Sequence, residues 1–418
     1  MQDTQTLFPR LPALLTSRGD AFYGNSPPRA LPAAPAAPKR DKFIGFVRDG
    51  ESASLLRTVL AGHISNSNQL HLADFRHALT ILAAMPTPEI VLVDLSGEEQ
   101  PLNALMQLAD IVEAGTVVLA VGEVQNLNFY RVVVKNMGVR DYLPKPLTEA
   151  AVAENVLPVI ENLARERTPR RGGRMIALCG ARGGVGTSCI AANLAWYVAT
   201  ALHRHTVLLD GEPNTGTLAL DMDIPSSRGL PAVLEAPQRV DELLIERCAY
   251  NAGERLHVMA GLETLTWEAP CDADGMASFV QAIRARYNFT VADTGTRLTP
   301  LARQLVFNAQ QRVIVLDPTM ISLRNVEKLC ALPGGSGLAP RPLLVLNKAG
   351  VPGGLAREFI EDHLGTALDA VIPDLPRLVG QATGLGKMVA RQRGPFRNGI
   401  AVLAQALGIG APAAASAA

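Results

Sequence analysis

The chain has 418 residues, of which 48% are apolar and 19% are charged, with 39 basic and 39 acidic side chains. This length allows two domains with a sizeable core each, and the balanced charge gives no global electrostatic case for nucleic-acid binding. No apolar run is long enough to predict a membrane-spanning helix, and the amino terminus shows no export signal. The five cysteines lack CxxC spacing, which indicates free thiols in a reducing cytosol.

Three segments interrupt the globular pattern. Residues 1–40 and 411–418 are rich in Pro and Ala, which predicts a disordered arm and a disordered tail. The basic stretch 165–173 contains Pro and Gly and indicates a linker, either as a solvated connector or in contact with an acidic partner or anionic lipid. The sequence therefore predicts two domains, at 41–164 and 174–410.

Residues 41–164 alternate strand-like and helix-like stretches. The predicted strands are Phe43–Val47, Ile90–Asp94, Val117–Val121 and Asp141–Leu143, and the predicted helices are Ser52–Leu60, Leu102–Glu113, Phe129–Met137 and Leu147–Leu163. Short β-branched runs are typical of buried parallel strands. The pattern predicts a small doubly wound α/β domain.

Residues 174–410 show the same alternation on a larger scale. The predicted strands are Met175–Cys179, Thr206–Leu209, Leu256–Met259, Phe289–Ala292, Arg312–Leu316, Leu343–Leu346 and Ala370–Ile372. Ligands of such α/β folds bind at the carboxyl ends of the strands, so we expect functional residues there.

A glycine-rich loop joins the first of these strands to a helix. It consists of Arg182, Gly183, Gly184, Val185, Gly186, Thr187 and Ser188. Glycines let successive N–H groups point at phosphate oxygens, and the helix amino terminus adds partial positive charge. Thr187 stands where the standard loop has the lysine that reaches the phosphates. The loop therefore predicts nucleotide binding with weak or absent hydrolysis.

Acidic residues at two later strand ends complete a candidate ATP site. Asp210 and Glu212 follow the second strand, where a carboxylate can orient an attacking water or hold Mg²⁺ through water. Asp293 ends a later strand and suits a Mg²⁺ contact through water, while Ser188 offers a direct hydroxyl ligand. ATP and Mg²⁺ are the predicted cofactors.

A dinucleotide-binding fold is the rival interpretation of the loop. The glycines that fit the Gly-x-x-x-Gly-x-Gly spacing of short-chain dehydrogenases are Gly180, Gly184 and Gly186. Asp210 would then hold an adenosine ribose. Those families carry a downstream Tyr-x-x-x-Lys, and neither Tyr250 nor Tyr287 has Lys four residues on. This interpretation also leaves Ser188 and Asp293 without a role.

With these motifs in order, the second domain resembles the MinD/ParA group of deviant Walker-type P-loop ATPases, whose loop is usually Lys-Gly-Gly-Val-Gly-Lys-Thr. The resemblance assigns Asp210 and Glu212 to the Asp-x-Asp segment and Asp293 to the Walker B position. It implies that Asn347 contacts adenine and that Pro373 belongs to the carboxyl-terminal Ile-Pro segment of the nucleotide site.

Two loop positions depart from that family. Arg182 replaces the signature lysine, which in dimers of the family reaches the partner's nucleotide. An arginine stays cationic and can still clamp phosphate with a different geometry. Thr187 replaces the Walker lysine, and a hydroxyl cannot neutralise developing phosphoryl charge.

The first domain resembles a response-regulator receiver, which is a flavodoxin-like fold. Asp94 occupies the phosphoacceptor position, and Lys145 precedes proline as in that family. The family's acidic pair is Arg48-Asp49 here, and the fourth strand ends without a hydroxyl. Mg²⁺ needs clustered oxygen ligands, so Arg48 disfavours it and is expected to pair with Asp94. The preferred interpretation is an interaction or dimerisation module.

The order of the two domains is similar to that of Flp/Tad pilus-assembly proteins of the TadZ/CpaE type. This resemblance implies a cytoplasmic factor that localises the pilus machine, often at a cell pole. ATP would favour a homodimer, which recruits the secretion ATPase and the inner-membrane platform. The alternatives are an active MinD/ParA-like ATPase that positions DNA or the division site, and a signalling regulator that is phosphorylated on Asp94.

Overall fold

The computed structural model describes residues 40–64, 69–161, 173–225, 227–261, 267–332 and 340–410. The predicted tail, the predicted arm apart from Arg40 and the predicted linker apart from Gly173 lie outside these ranges. The domain boundaries drawn at those segments therefore remain predictions. Within the described ranges, no helix combines the length and the apolarity that crossing a bilayer requires.

The first part of the chain builds a five-stranded parallel sheet in the order β2-β1-β3-β4-β5. Its strands are β1 (Phe43–Val47), β2 (Leu70–Leu72), β3 (Ile90–Asp94), β4 (Val117–Gly122) and β5 (Asp141–Pro144). Its helices are α1 (Gly50–Val59), α2 (Phe75–Ala84), α3 (Pro101–Ile111), α4 (Leu127–Arg131), α5 (Glu149–Asn155) and α6 (Leu157–Glu161). This strand order is one of the two common orders of doubly wound sheets.

The sequence explains why these elements form. All five residues of β1 and all five of β3 are buried, as expected for strands covered by helices on both faces. Asp49 and Asp74 cap the amino termini of α1 and α2 by accepting backbone N–H bonds. The sheet then separates two apolar clusters, one under α2 and α3 and the other under α1 and α5.

The structure of this part differs from the sequence expectations at four points. The short strand β2 and the helix α2 were not predicted. The helix expected over Leu147–Leu163 is two helices in the described residues, α5 and α6, with a turn at Val156. The helix expected over Phe129–Met137 begins as α4 and continues as a π-helical turn over Val132–Asn136.

The second part builds an eight-stranded sheet in the order β13-β12-β11-β6-β10-β7-β9-β8. Its strands are β6 (Arg174–Gly180), β7 (Thr206–Asp210), β8 (Tyr250–Gly253), β9 (Leu256–Met259), β10 (Phe289–Asp293), β11 (Gln311–Leu316), β12 (Leu343–Ala349) and β13 (Ala370–Pro373). The pairs are parallel except for β8, which lies antiparallel to β9 at one end of the sheet.

Ten helices of this part cover the two faces of the sheet within the described residues. They are α7 (Thr187–Thr200), α8 (Leu218–Asp221), α9 (Gly229–Glu235), α10 (Glu242–Cys248), α11 (Ala273–Arg286), α12 (Pro300–Asn308), α13 (Met320–Cys330), α14 (Arg357–Leu364), α15 (Pro376–Thr383) and α16 (Pro395–Ala406). The seven predicted strands are all present, and β8 was missed. The α/β fold class is therefore confirmed.

Polar groups of the second part bind helix ends of the first. The Arg255 guanidinium, just before β9, donates to the carbonyls of Leu82 and Met85 at 3.2 and 2.8 Å and to Ile111 at 3.2 Å. These are carboxyl ends of α2 and α3, whose last carbonyls lack partners within the helix. Asn288, just before β10, donates to the Val112 carbonyl at 2.7 Å.

A buried carboxylate adds charge pairing at this interface. Glu113 is 5% exposed and accepts from Arg286 at 2.6 Å and from Arg40. His205, just before β7, lies 3.5 Å from the same carboxylate. Burial lowers the pKa of His205 well below its ordinary value, and Arg255 adds repulsion. These contacts all lie at the amino ends of strands, which is the sheet edge opposite the predicted nucleotide site.

Candidate functional site

The glycine-rich loop lies between β6 and α7, as predicted. Gly184 and Gly186 have φ values of 80° and 92°, in a region that side chains with a Cβ disfavour. A Cβ on Gly186 would lie 2.5 Å from the Asn347 side-chain nitrogen. Gly186 also precedes the first helical residue, Thr187, so the turn delivers the chain directly into the helix amino terminus.

The end of β12 supports the loop from one side. Asn347 is 8% exposed and donates to the Val185 carbonyl at 2.8 Å. Lys348 donates from Nζ to the Gly184 carbonyl at 2.6 Å. The adenine contact implied for Asn347 remains a prediction, because its amide nitrogen is engaged by the loop itself.

The Arg182 side chain extends toward Asp317, which directly follows β11. Its guanidinium pairs with both oxygens of Asp317 and donates to the Gly183 carbonyl at 2.9 Å. Asp317 is 3% exposed and also accepts from Ser322 at 2.5 Å. Burial acts to raise the pKa of Asp317, but the bonds from Ser322 and Arg182 hold it below its ordinary value. The phosphate and catalytic roles predicted for Arg182 would require this pair to open.

The first two residues of α7 carry hydroxyls with different surroundings. Thr187 is 5% exposed, and its Oγ1 is buried without a hydrogen-bond partner. Burial raises the pKa of Asp293, and the Ser188 hydroxyl acts against that shift, so Ser188 lies near this carboxylate. The predicted magnesium ligands Ser188 and Asp293 are therefore neighbours in the site.

Two carboxylates lie side by side at the carboxyl edge of the sheet. Asp210 and Asp293 are register partners on β7 and β10 and are 2% and 4% exposed. Burial raises the pKa of Asp210 to about 7 and that of Asp293 to about 6. Repulsion from Asp293 also raises the pKa of Asp210. At Asp293, the Ser188 hydroxyl partly offsets the effect of burial on the pKa. This pair is electrostatically suited to a cation.

Glu212 and Pro373 occupy the margins of the site. Glu212 is partly exposed, its backbone N–H donates to Asp210 at 2.9 Å, and its side chain lies against Gly295. Glu212 therefore offers the more accessible carboxylate of the Asp210–Glu212 segment. Pro373 ends β13 opposite Ala349 of β12 and is half-buried.

A magnesium ion would need ligands from a nucleotide. Across the described ranges, no group of three or more His, Cys, Asp or Glu side chains is arranged to hold a metal ion. Mg²⁺ commonly binds through one or two protein oxygens together with substrate phosphates. The Ser188 hydroxyl and the Asp293 carboxylate fit that requirement.

A second cluster lies at the carboxyl edge of the first sheet. Lys145, after β5, donates to the carboxylates of Asp49 and Asp94. Burial acts to raise the pKa of Asp49, but the bond from Lys145 lowers it to about 2. Asp94 is 2% exposed and also accepts the Ser96 N–H at 2.9 Å. The three predicted residues of this cluster therefore meet in space.

The expected side-chain pair between Arg48 and Asp94 is wrong. The Arg48 backbone N–H donates to Asp94 at 2.9 Å, but the guanidinium donates to the Ser96 carbonyl at 3.1 Å. The guanidinium lies beside Gly97, where a side chain would collide with it. Lys145 already occupies the carboxylate, so Arg48 extends past it.

Asp317 and Lys348 were not assigned a role from the sequence. Asp317 directly follows β11, and Lys348 directly follows Asn347, so each occupies the strand-end position at which the other site residues were sought. Position was the available signal. Their partners in the loop are 135 and 164 residues away, which no local pattern reveals.

Comparison with known proteins gives structural likeness alone. No protein-family model matches the chain, and no curated protein matches it. A ParA family ATPase from Chlorobium tepidum TLS is 22% identical with a TM-score of 0.50, covering 56% of this chain and 98% of that one.

Two MinD structures also match. The cell division ATPase MinD of Pyrococcus furiosus is 22% identical with a TM-score of 0.49, and it covers 56% of this chain and 98% of that one. The septum site-determining protein MinD of Pyrococcus horikoshii OT3, complexed with Mg-ADP, is 20% identical with a TM-score of 0.48, and it covers 56% of this chain and 96% of that one.

The likeness to the Chlorobium protein defines the class of fold. The chain contains an α/β domain with the fold of a ParA family ATPase, spanning nearly all of that protein. The matched share is similar in size to the part that carries the eight-stranded sheet. What this domain binds is a separate question, which rests on the loop and the carboxylates described above.

Proposed function

We propose that this protein is an ATP-binding positioning or assembly factor that hydrolyses ATP weakly or not at all. ATP binding favours a homodimer, and the dimer is the active state. Ser188 and Asp293 hold Mg²⁺ with the nucleotide, while Asp210 and Glu212 line the position of the attacking water. Without a loop lysine, the developing charge of phosphoryl transfer lacks its usual stabilisation.

One observation carries this proposal. The glycine-rich turn feeds the amino terminus of α7 at the same sheet edge that holds the Asp210–Asp293 pair. Backbone N–H groups and a helix dipole attract phosphate, and the carboxylates attract its metal. The position of the lysine that ordinarily drives turnover carries the buried hydroxyl of Thr187.

The cellular role rests on the sequence resemblance to the TadZ/CpaE type. We infer a cytoplasmic factor of Flp/Tad pilus machinery, whose partners are the secretion ATPase and the inner-membrane platform. The strand order of the first sheet and the meeting of Asp49, Asp94 and Lys145 support a receiver-like domain. Because Arg48 replaces one carboxylate of the family's acidic pair, that domain is proposed as an interaction module.

The test combines ATP binding, ATP turnover and light-scattering mass on the purified full-length protein with Mg²⁺. We expect wild type to bind ATP, to dimerise with it and to turn it over slowly. Ser188→Ala and Asp293→Ala should each weaken Mg-ATP binding at least tenfold and abolish the ATP-dependent dimer, because each removes a magnesium contact.

Matched controls come from two exposed positions on one helix. Ser278→Ala and Asp274→Ala, both in α11, should behave as wild type. Ready turnover by wild type would contradict the weak-hydrolysis proposal and favour the active MinD/ParA-like ATPase. Failure of wild type to bind ATP would reject the nucleotide proposal as a whole.

A further inference from the structure

The loop needs a positive charge from outside its own sequence. Thr187 is neutral, and Arg182 is held in its pair with Asp317. A nucleotide triphosphate brings several negative charges to a site that already contains the Asp210–Asp293 pair. Such anions are ordinarily bound by Lys or Arg side chains together with backbone N–H groups.

Lys348 is positioned to supply that charge. Its Nζ reaches the Gly184 carbonyl, in the middle of the loop, at 2.6 Å. An ammonium group has three N–H donors, and this bond uses one of them.

The backbone of β12 is shaped to direct this side chain. The register between β12 and β13 shifts between Leu346 and Ala349, which marks an irregularity at Asn347 and Lys348. Lys348 has a φ of 57°, a conformation that is uncommon for residues other than glycine. Bulges and left-handed residues concentrate at functional sites, where they aim a side chain. Here both residues of the irregularity contact the phosphate-binding loop.

We propose that Lys348, from the end of β12, is the cation that contacts the phosphates of a nucleotide bound at the loop. It takes over the electrostatic part of the task for which Thr187 has no charge. This inference rests on the nucleotide-binding function proposed above, and adds the residue on which phosphate recognition depends.

The experiment compares Lys348→Met and Lys348→Arg with wild type in the full-length chain. Dissociation constants for Mg-ATP and Mg-ADP are measured at low and high ionic strength, with the melting temperature of each nucleotide-free protein. Lys328→Met is the matched control, because Lys328 is an exposed lysine on α13.

A phosphate contact predicts three results. Lys348→Met weakens ATP binding at least tenfold, and its remaining affinity depends less on salt, because one screened charge is gone. Lys348→Arg, which keeps the charge, recovers most of the affinity. Lys328→Met behaves as wild type.

Other results would overturn the inference. One is ATP affinity within twofold of wild type in Lys348→Met. Another is a loss of affinity with an unchanged salt dependence and a lower melting temperature, which would make Lys348 a brace for the loop alone. If wild type binds no nucleotide, the inference fails together with the proposed function.

Discussion

At the scale of single residues, burial in the fold changes the pKa of a side chain more than its neighbours in sequence do. His257 on β9 is partly buried, and its Nδ1 lies 2.6 Å from the Tyr287 hydroxyl. Burial lowers the pKa of His257 to about 4, and the positive charge of Arg286 acts in the same direction. The neutral imidazole is therefore part of the folded core.

This neutral histidine predicts a pH-dependent stability. The unfolded chain, with an ordinary histidine pKa near 6.5, binds more protons than the folded chain between pH 6.5 and 4. Stability should therefore be fully present above pH 6.5 and fall as the pH drops toward 4, with about 2–3 kcal/mol of the loss due to His257. The His257→Asn variant, whose side chain can still reach Tyr287, should lose less stability between pH 7 and pH 4.5. Urea denaturation at the two pH values measures this loss.

The control for that measurement is His77→Asn, at an exposed position on α2. It should show the pH dependence of wild type. An equal pH dependence in His257→Asn would show that the histidine is not held neutral in the fold.

A second prediction at this scale concerns Asp94. Its oxygens are engaged by Lys145, the Arg48 N–H and the Ser96 N–H, and the residue is 2% exposed. We expect no phosphorylation of wild type by acetyl phosphate with Mg²⁺, as measured by intact-protein mass. Arg48→Asp restores an acidic pair next to this pocket and is the variant expected to gain Mg²⁺ binding. Stoichiometric modification of wild type at Asp94 would instead support the signalling regulator.

At the scale of secondary-structure elements, helix ends form contacts between the two parts of the molecule. The carboxyl ends of α2 and α3 present carbonyl groups and a partial negative charge. Arg255 donates hydrogen bonds to both helices from one guanidinium, whose planar set of N–H groups can serve several acceptors at once. The contact therefore depends on the geometry of the arginine as well as its charge.

Replacement of Arg255 should destabilise the protein. Arg255→Ala leaves the carbonyls of Leu82, Met85 and Ile111 without this donor, and we expect a loss of about 2–4 kcal/mol in urea denaturation. Arg255→Lys should recover only part of it, because an ammonium cannot reproduce the fork. Arg324→Ala, at an exposed arginine on α13, should stay within about 0.5 kcal/mol of wild type. Equal stability of Arg255→Ala and this control would show that the contact is not energetically significant.

For the molecule as a whole, the interface between the two parts and the candidate nucleotide site lie at opposite edges of the second sheet. Arg255, His205 and Asn288 precede strands, whereas Asp210 and Asp293 end them. A strand of five residues spans about 17 Å, so the interface and the nucleotide edge are separated by that distance. This arrangement is compatible with the proposed ATP-dependent homodimer, because the contacts with the first part lie at the edge opposite the loop.

Several elements followed directly from local sequence. The runs Phe43–Val47, Ile90–Asp94 and Leu256–Met259 were predicted with the bounds that the structure shows. Short runs rich in apolar and β-branched residues suit strands covered on both faces, and their length favours a strand over a helix. Two strands were missed because they are short and weakly apolar: Leu70–Leu72 has three residues, and Tyr250–Gly253 is an edge strand.

Of the site, the sequence by itself determined the loop, the helix that follows it and the carboxylates at the strand ends. These features depend on local patterns, and a parallel sheet brings the carboxyl ends of its strands to one edge. Only the tertiary structure decided which cations face the loop. Asp317 holds Arg182, and a backbone irregularity in β12 brings Lys348 to Gly184. Such pairings join residues far apart in the chain, and their geometry is set by neighbouring strands, so no local pattern contains them.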